Sequence, residues 1–413
     1  MSTGDNGPAR VAYVMSRFPK LTETFILFEM LAVERQGVDV EVYPLLRERT
    51  AVMHPEAPAV VARARFLPFL SWPVVRSQLH FLRTEPRTYL RTVWALLRGT
   101  WGSLNFFVGA LGILPKTVHA ARLMAEAGVT HVHCHFASHP AAAGFVIQRL
   151  TGIPFSFTAH GSDLHVDRTM LPQKVAEAAF VVAVSEYNRE LIVSDCGEQV
   201  RDKVHVIHCG VDTGVFRPPA VRAATERFTV ACVATLHEVK GQTFLVDACR
   251  RLVAEGIDVV CRLVGDGPDR ELLRRRITEA GLADRVLLCG RLPREAVAQL
   301  LADADVLVAP SVPTRRGKRE GIPIALMEAM STGVPVVASD ISGIPELVAH
   351  GVSGLLVPPG DAEALAGALR LLHDDAGLGR LLAHGGRQKV LAEFDQDRNA
   401  AALVERFERA TVT

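Results

Sequence analysis

Two carboxylates, Glu320 and Glu328, bracket the stretch R-E-G-I-P-I-A-L-M-E-A-M-S-T-G, Arg319 to Gly333. Pro323 suits a first helical turn, where its missing N–H costs nothing, and Gly333 suits the stop. The stretch therefore reads as a loop entering a short helix. The N–H groups of Gly321 and Ile322 fall at or just before that helix N-terminus, where unpaired donors and the positive end of the dipole point the same way. Glu328 lies eight residues after Glu320, slightly over two helical turns, so both acids can face one side. Two acids with bare amides between them suit a ligand rich in hydroxyls and carrying a phosphate. A solvated helix face would explain Glu328 less well, because Ile322, Ile324, Ala325, Leu326, Ala329 and Met330 make this helix mostly apolar. A carboxylate on a buried helix needs a partner.

The continuous string E-G-I-P-x4-E-A-M-x-x-G-x-P-V-V-A-S resembles the E-x7-E signature of family 4 glycosyltransferases, which have the GT-B fold. The match runs on as D-I-S-G-I-P-E-L-V-x-H-G-x-S-G-L-L-V-P-P-G-D to Asp361, about forty residues in all. The resemblance implies two Rossmann-like α/β domains facing across a cleft, with a C-terminal helix crossing back to the N-domain. It also implies a nucleotide diphosphate sugar donor and retention of anomeric configuration. On this reading Glu328 holds the ribose hydroxyls, and Glu320 with the Gly321–Ile322–Pro323 backbone holds sugar hydroxyls.

The elements that position these acids come in regular alternation from Phe228 on. Strand-like runs lie at Phe228–Leu236 and near Val259–Val264, Arg285–Cys289, Val306–Ala309, Pro335–Ala338 and Leu355–Val357. Helix Gln242 to Glu255 carries Phe244, Leu245, Ala248, Cys249, Leu252 and Val253 on one stripe, and the alternation argues a parallel sheet. The first loop, T-L-H-E-V-K-G, resembles the family's G-R-L-V-E-x-K-G. Lys240 matches the lysine that meets the diphosphate, while Thr235 replaces the family arginine and carries no charge. Gly265, Asp266 and Gly267 of L-V-G-D-G-P-D are close to the donor by resemblance. So are Arg291 and Leu292, where the family's main chain meets the base. The string is not G-x-G-x-x-G, so a dinucleotide oxidoreductase is a weak alternative. Asp303-Ala-Asp305 mimics a metal-binding D-x-D but ends an apolar helix, and reads as helix surface.

In the first half, Ala9 to Met15 reads as a buried strand, Ser16 to Thr24 as a loop at its C-terminal end, and Phe25 to Gln36 as a helix with Thr22 as N-cap. S-R-F-P-K-L-T-E-T-F-I resembles the first loop of a subgroup making bacterial exopolysaccharides, so Arg17, Lys20 and Thr24 are candidates to meet an acceptor or a diphosphate. A solvated loop explains each nearly as well. His131, His133 and His135 alternate on a strand and share one face. No fourth ligand has fitting spacing for zinc, and the family has His-Phe-Ala here without metal, so no metal is expected. Strand Pro154 to Thr158 leads to A-H-G-S-D-L, where the resemblance places His160 at the transferred sugar, with a cap of the strand loop as the alternative, and Ser162 and Asp163 are candidates for acceptor contact. Ser185 suits an N-cap after strand Phe180 to Val184. Cys209 stands where the family has asparagine before Gly-Val-Asp.

Between His54 and Pro115 aromatics and leucines mix with arginines. The segment includes W-G-S-L-N-F-F-V-G-A-L-G-I-L-P, too short to span a bilayer. Two readings stand: a membrane-interface surface, or a helical cap burying its aromatics with arginines solvated. The resemblance inclines toward membrane contact, since exopolysaccharide acceptors are often lipid-linked.

The 413 residues predict two domains. The boundaries expected are 1–209 for an acceptor-binding N-domain, 210–227 for a linker, 228–392 for a donor-binding C-domain and 393–413 for the crossover helix. Net charge +1 gives no global field for nucleic acid. Seven cysteines are scattered without C-x-x-C, and Cys232, Cys261 and Cys289, inside apolar strand-like runs, read as buried small hydrophobes of a reducing cytosol. No signal peptide and no run of about 18 apolar residues is visible. The expected protein is a cytoplasmic transferase, peripheral on the inner membrane face in the membrane reading. It would move a sugar from a UDP- or GDP-sugar to a saccharide or lipid-linked hydroxyl acceptor, with no cofactor and no metal. A soluble small-molecule acceptor and a non-catalytic sugar-nucleotide binder are the alternatives.

Overall fold

A computed structural model describes residues 9–20, 23–49, 53–165, 167–220, 227–315 and 317–412. The chain forms two compact units. The first takes the described residues up to Ile207 together with those from Asn399 on, and the second takes His208–Arg398.

The sheet of the first unit has six parallel strands: β1 (Arg10–Phe18), β2 (Asp39–Arg47), β3 (His131–His135), β4 (Phe155–Ala159), β5 (Phe180–Ala183) and β6 (Val204–Val206). Their order is β2-β1-β3-β4-β5-β6. The central strands are buried along their whole length, as continuous apolar runs in parallel sheets are. β2 is an edge strand beyond those expected from sequence, which is why its Pro44 is tolerated. β1 runs three residues past the expected Met15, because Arg17 and Phe18 pair with Leu46 and Arg47. Arg17 is thus on a strand, not in a loop. Thr22 lies outside the described residues.

The 54–115 segment is helical, with helices Ala57–Arg63, Trp72–Thr84, Pro86–Thr100 and Leu104–Glu126. Phe81, Leu96, Ala110 and Ile113 join the core of the sheet. The opposite side leaves Leu70, Trp72, Trp94, Trp101 and Leu104 between 62 and 80 % exposed. The stretch judged too short to span a bilayer continues through Pro115 into a helix of 23 residues, long and apolar enough to cross a membrane by length and composition. Here Lys116, Thr117, Ala120, Ala121 and Met124 are buried in the unit, as in a core helix.

The second sheet holds β7 (Phe228–Val233), β8 (Val259–Val264), β9 (Val286–Gly290), β10 (Val306–Ala309), β11 (Val336–Ser339) and β12 (Leu355–Val357), all parallel, in the order β12-β11-β10-β7-β8-β9. β8 to β12 lie where the alternation predicts, within a residue or two, while β7 ends at Val233, short of the Leu236 to which its apolar run extends. The residues from 210 do not behave as a bare linker. Val211 and Phe216 are buried in the core of the second unit, and Phe216 O accepts a hydrogen bond from Ser331 Oγ. Their apolar side chains outweigh the turn signals around them. Residues 221–226 lie outside the described set. The last helix, Gln396–Val412, returns to the first unit from Asn399 on. Its Ala400, Leu403, Val404 and Phe407 pack into the core around β1.

Candidate active site

In the second sheet, β7 pairs with β8 on one side and β10 on the other. The order reverses there, and an open α/β sheet holds ligands outside the carboxyl ends of strands at such a reversal. The loops leaving β7 and β10 are stitched together. Val312 N donates to Val239 O at 2.9 Å. Gly241, at φ +64, lies so close to Pro310 O that a Cβ would collide with it. This close approach puts Lys240 Nζ 2.5 Å from Glu320 Oε2, with both side chains partly exposed.

Pro323 caps helix Ile324–Thr332 from an extended conformation at ψ 127, one position earlier than a first-turn proline. Gly333 ends the helix at φ +78, as predicted. Among the described residues neither Gly321 N–H nor Ile322 N–H has a protein acceptor, so the two donors are available at the helix mouth. Glu328, half-buried on this helix, has its carboxyl pushed up to about 7 by burial, with Arg294 opposing. Arg294 is held 3.2 Å from Asp212 Oδ2 and lies over the Phe216 ring.

The other expected donor residues divide into surface and scaffold. Thr235 is exposed, and its carbonyl accepts from Gln242 Nε2 at 3.0 Å. A Cβ on Gly265 or Gly267 would collide with Ala234 O or Leu236 O, so these glycines let the β8 loop lie backbone-to-backbone on the β7 loop. Asp266 Oδ1 accepts from Gly267 N at 2.9 Å, a local turn bond. Arg291 is exposed just past β9 and Leu292 is half-buried against the core.

The candidates of the first unit behave differently. His160 is buried, with its ring 4.7 Å from both Phe25 and Phe136. Its Nε2 lies 3.2 Å from His135 Nδ1, and His135 Nε2 lies 3.1 Å from Glu29 Oε1. Burial and the neighbouring His135 hold the His160 pKa well below the usual imidazole range. Asp163, expected at the acceptor, is instead a buried brace. Its Oδ2 accepts from Ala137 N at 2.5 Å, and burial pushes the carboxyl up to about 7. Lys174, buried beside it, donates to Ala137 O and Thr169 O. The Ser162 side chain lies outside the described residues. Arg17 faces solvent 3.4 Å from Glu48 Oε2, Lys20 pairs with Glu23, and Thr24 is the first residue of helix Thr24–Arg35.

His131, His133 and His135 share one buried face, as expected. Ser156 Oγ lies within 2.8 Å of both His131 Nε2 and His133 Nδ1, and Thr158 Oγ1 3.0 Å from His133 Nε2. Glu29, His133 and His135 place one carboxylate oxygen and two ring nitrogens within 4.8 Å of one another. The sequence does not single out three side chains that the structure brings to these clusters: Glu29, Gln242 and Arg294. Only Arg294, a cation just after a strand, left a local signal.

Residues 23–215 match the profile of Glycosyltransferase Family 4, and residues 227–375 match that of Glycosyl transferases group 1. The putative colanic acid biosynthesis glycosyltransferase WcaL of Salmonella typhimurium is 31 % identical over 96 % of this chain and 99 % of its own. The chain is a family 4 glycosyltransferase. The amylovoran biosynthesis glycosyltransferase AmsK of Erwinia amylovora is 33 % identical over 74 % of this glycosyltransferase and 77 % of its own length. Among solved structures, Anabaena HepE in complex with UDP superposes with a TM-score of 0.74 over 97 % of this chain and 100 % of that one, at 20 % identity. At that identity the likeness bears on the fold, which is GT-B.

Proposed function

We propose that this glycosyltransferase moves a sugar, with retention, from a nucleotide diphosphate sugar to a saccharide hydroxyl during exopolysaccharide assembly. The observation that carries the reading is the Lys240–Glu320 pair at the sheet reversal, beside the unpaired Gly321 and Ile322 amides. Lys240 is partly exposed and can leave Glu320 to meet a diphosphate, where it neutralises charge that grows in the transition state. Glu320 is then free to accept from sugar hydroxyls, and Glu328 from the ribose. Amides and one cation hold the anion, so the mechanism uses no metal. The acceptor attacks on the face the leaving group departs from, and the leaving phosphate takes its proton.

The relatives named for colanic acid and amylovoran biosynthesis support the exopolysaccharide assignment. The acceptor is lipid-linked and the enzyme binds the inner membrane face. The exposed Leu70, Trp72, Trp94 and Trp101, with exposed Arg76, Arg83, Arg87, Arg91 and Arg98, support this, since such a mixture suits an anionic interface. Free thiols at all seven cysteines support a reducing cytosol.

A thermal-shift panel of UDP, GDP, ADP and their sugar conjugates tests the donor. A ligand of the folded state raises Tm by mass action, and one nucleotide series is expected to stand out. No shift with any of them would overturn the donor assignment. Flotation with liposomes containing anionic lipid at low salt tests the membrane face, and protein left at the bottom would sink it.

A further inference from the structure

Glu29, His135 and His160 form a linear chain of hydrogen bonds that runs from a helix, through the end of β3, to the loop after β4. We propose that Glu29, acting through His135, locks the tautomer of His160, so that His160 offers a bare Nδ1 lone pair to a hydroxyl of the bound sugar. The inference rests on the reading of His160 as the residue that touches that sugar.

The assignment follows from donor counting. A carboxylate only accepts. The contact between His135 Nε2 and Glu29 Oε1, at 3.1 Å, therefore needs the proton on His135 Nε2. A neutral imidazole carries one N–H, so His135 Nδ1 accepts. The 3.2 Å contact from His135 Nδ1 to His160 Nε2 then needs the proton on His160 Nε2. His160 Nδ1 is left without a hydrogen. It makes no hydrogen bond among the described residues and is not one of the enclosed polar atoms, and the residue keeps 7 % exposure.

The surroundings hold each ring in its plane. Tyr13 O–H donates to the same Glu29 oxygen at 3.1 Å, and the Tyr13 ring stacks on His135 at 5.6 Å. Phe25 and Phe136 flank His160 at 4.7 Å. His133 lies farther from Glu29, at 3.8 Å, and is engaged by Thr158 and Ser156, so the carboxylate serves His135. The burial that keeps His160 neutral removes the doubly protonated form, which would donate from both nitrogens. A lone pair at Nδ1 recognises an O–H and repels a phosphate or carbonyl oxygen. Glu29 is therefore a positioning residue that sets the polarity of the sugar contact.

The test uses the full chain labelled with 15N-histidine, with His160 assigned by His160→Gln. The ring nitrogens of His160 are expected in the signature of a protonated Nε2 and bare Nδ1. Glu29→Gln, which keeps the shape but can donate or accept, should mix the tautomers. It should lower sugar transfer more than tenfold and leave the nucleotide thermal shift intact. A protonated Nδ1 in the unchanged protein would overturn the inference while leaving the proposed function standing. An unchanged tautomer in Glu29→Gln would overturn the role of Glu29. Metal at one equivalent per chain, lost on chelation with a change at His133 and His135, would also overturn it, since the carboxylate would then serve an ion. If the tautomers behave as proposed but no nucleotide binds, the inference holds and the function fails.

Discussion

Lys240 and Glu320 keep 22 and 15 % of their side chains exposed, whereas the strand histidines of the first unit, His131, His133 and His135, keep none. Each group belongs to a parallel sheet where its order reverses: the histidines run the length of β3, and Lys240 and Glu320 lie beyond the carboxyl ends of β7 and β10. The fold supplies the same kind of place twice, and the side chains decide what it does. A partly wet ion pair can exchange partners with an anionic ligand at little cost. A dry histidine network cannot accept charge cheaply, so it holds shape and hydrogen-bond polarity.

The largest test of this contrast removes Phe407. Its ring lies 5.1 to 6.5 Å from those of His131, His133, Phe180 and Tyr13. Phe407→Ala should cost the first unit about 3–5 kcal/mol. All three tryptophans and all four tyrosines lie before Ile207, so intrinsic fluorescence follows this unit alone. An unchanged denaturant midpoint would show that the last helix does not support the histidine face.

Next is Lys240→Ala, expected to lower kcat by about 10²–10³, the cost of deleting one transition-state donor. Donor affinity should fall much less. If affinity absorbed the whole loss with kcat intact, Lys240 would be a ground-state binder and the exchangeable-pair idea would fail.

Acid should divide the units. Burial lowers His131 to about 3 and holds His133 and His160 well below the usual range. The unfolded chain then binds more protons below about 6.5, and stability falls with pH by roughly 1.4 kcal/mol per unit for each histidine. Asp163, raised to about 7, offsets one of the three between its unfolded value and 7. Glu328 in the second unit, also raised to about 7, gains stability over the same descent. Between pH 6.5 and about 4.5 fluorescence should report loosening of the first unit. Protection factors in helix Ile324–Thr332, which remove the intrinsic slowing of exchange in acid, should rise. Parallel responses would mean the electrostatic contrast is not the controlling one. The same Glu328 value predicts that donor binding tightens as pH rises through 7, because the carboxylate accepts from both ribose hydroxyls. Glu328→Gln should flatten that slope.

How far the sequence reaches follows the same divide. Glu320, Glu328, Lys240 and Gly333 sit in local strings whose chemistry is readable within one loop and one helix, and the strands around them alternate cleanly. The first unit needed contacts over long separations. Glu29 reads as an ordinary acid on a helix, and only the folded unit brings its carboxylate to His135 of β3. Asp163 reads as a candidate for acceptor contact, but one short helical turn sets its carboxylate against Ala137 N. The apolar stretch ending at Pro115 reads as too short to span a bilayer, yet the helix runs on through that proline to Glu126, where its second half packs into the unit. Val211 and Phe216 were read with the turn residues around them, although their burial belongs to the core of the second unit.

The smallest effect concerns the charge missing beside the lysine. Thr235 is exposed at the end of β7, and its side chain makes no hydrogen bond among the described residues. Its main-chain carbonyl, not its side chain, holds Gln242, so replacing the side chain leaves that anchor in place. Thr235→Arg adds a guanidinium at a solvated position where it can fork to phosphate oxygens. An exposed ion pair contributes about 0.2–1 kcal/mol, so donor KM should fall by a factor of about 1.4 to 5, and the gain should fade with added salt. A gain that resists salt would mean that the arginine packs on the base or sugar instead. A loss would mean that the loop after β7 is tuned to a neutral side chain, with Lys240 as the sole cation meeting the diphosphate.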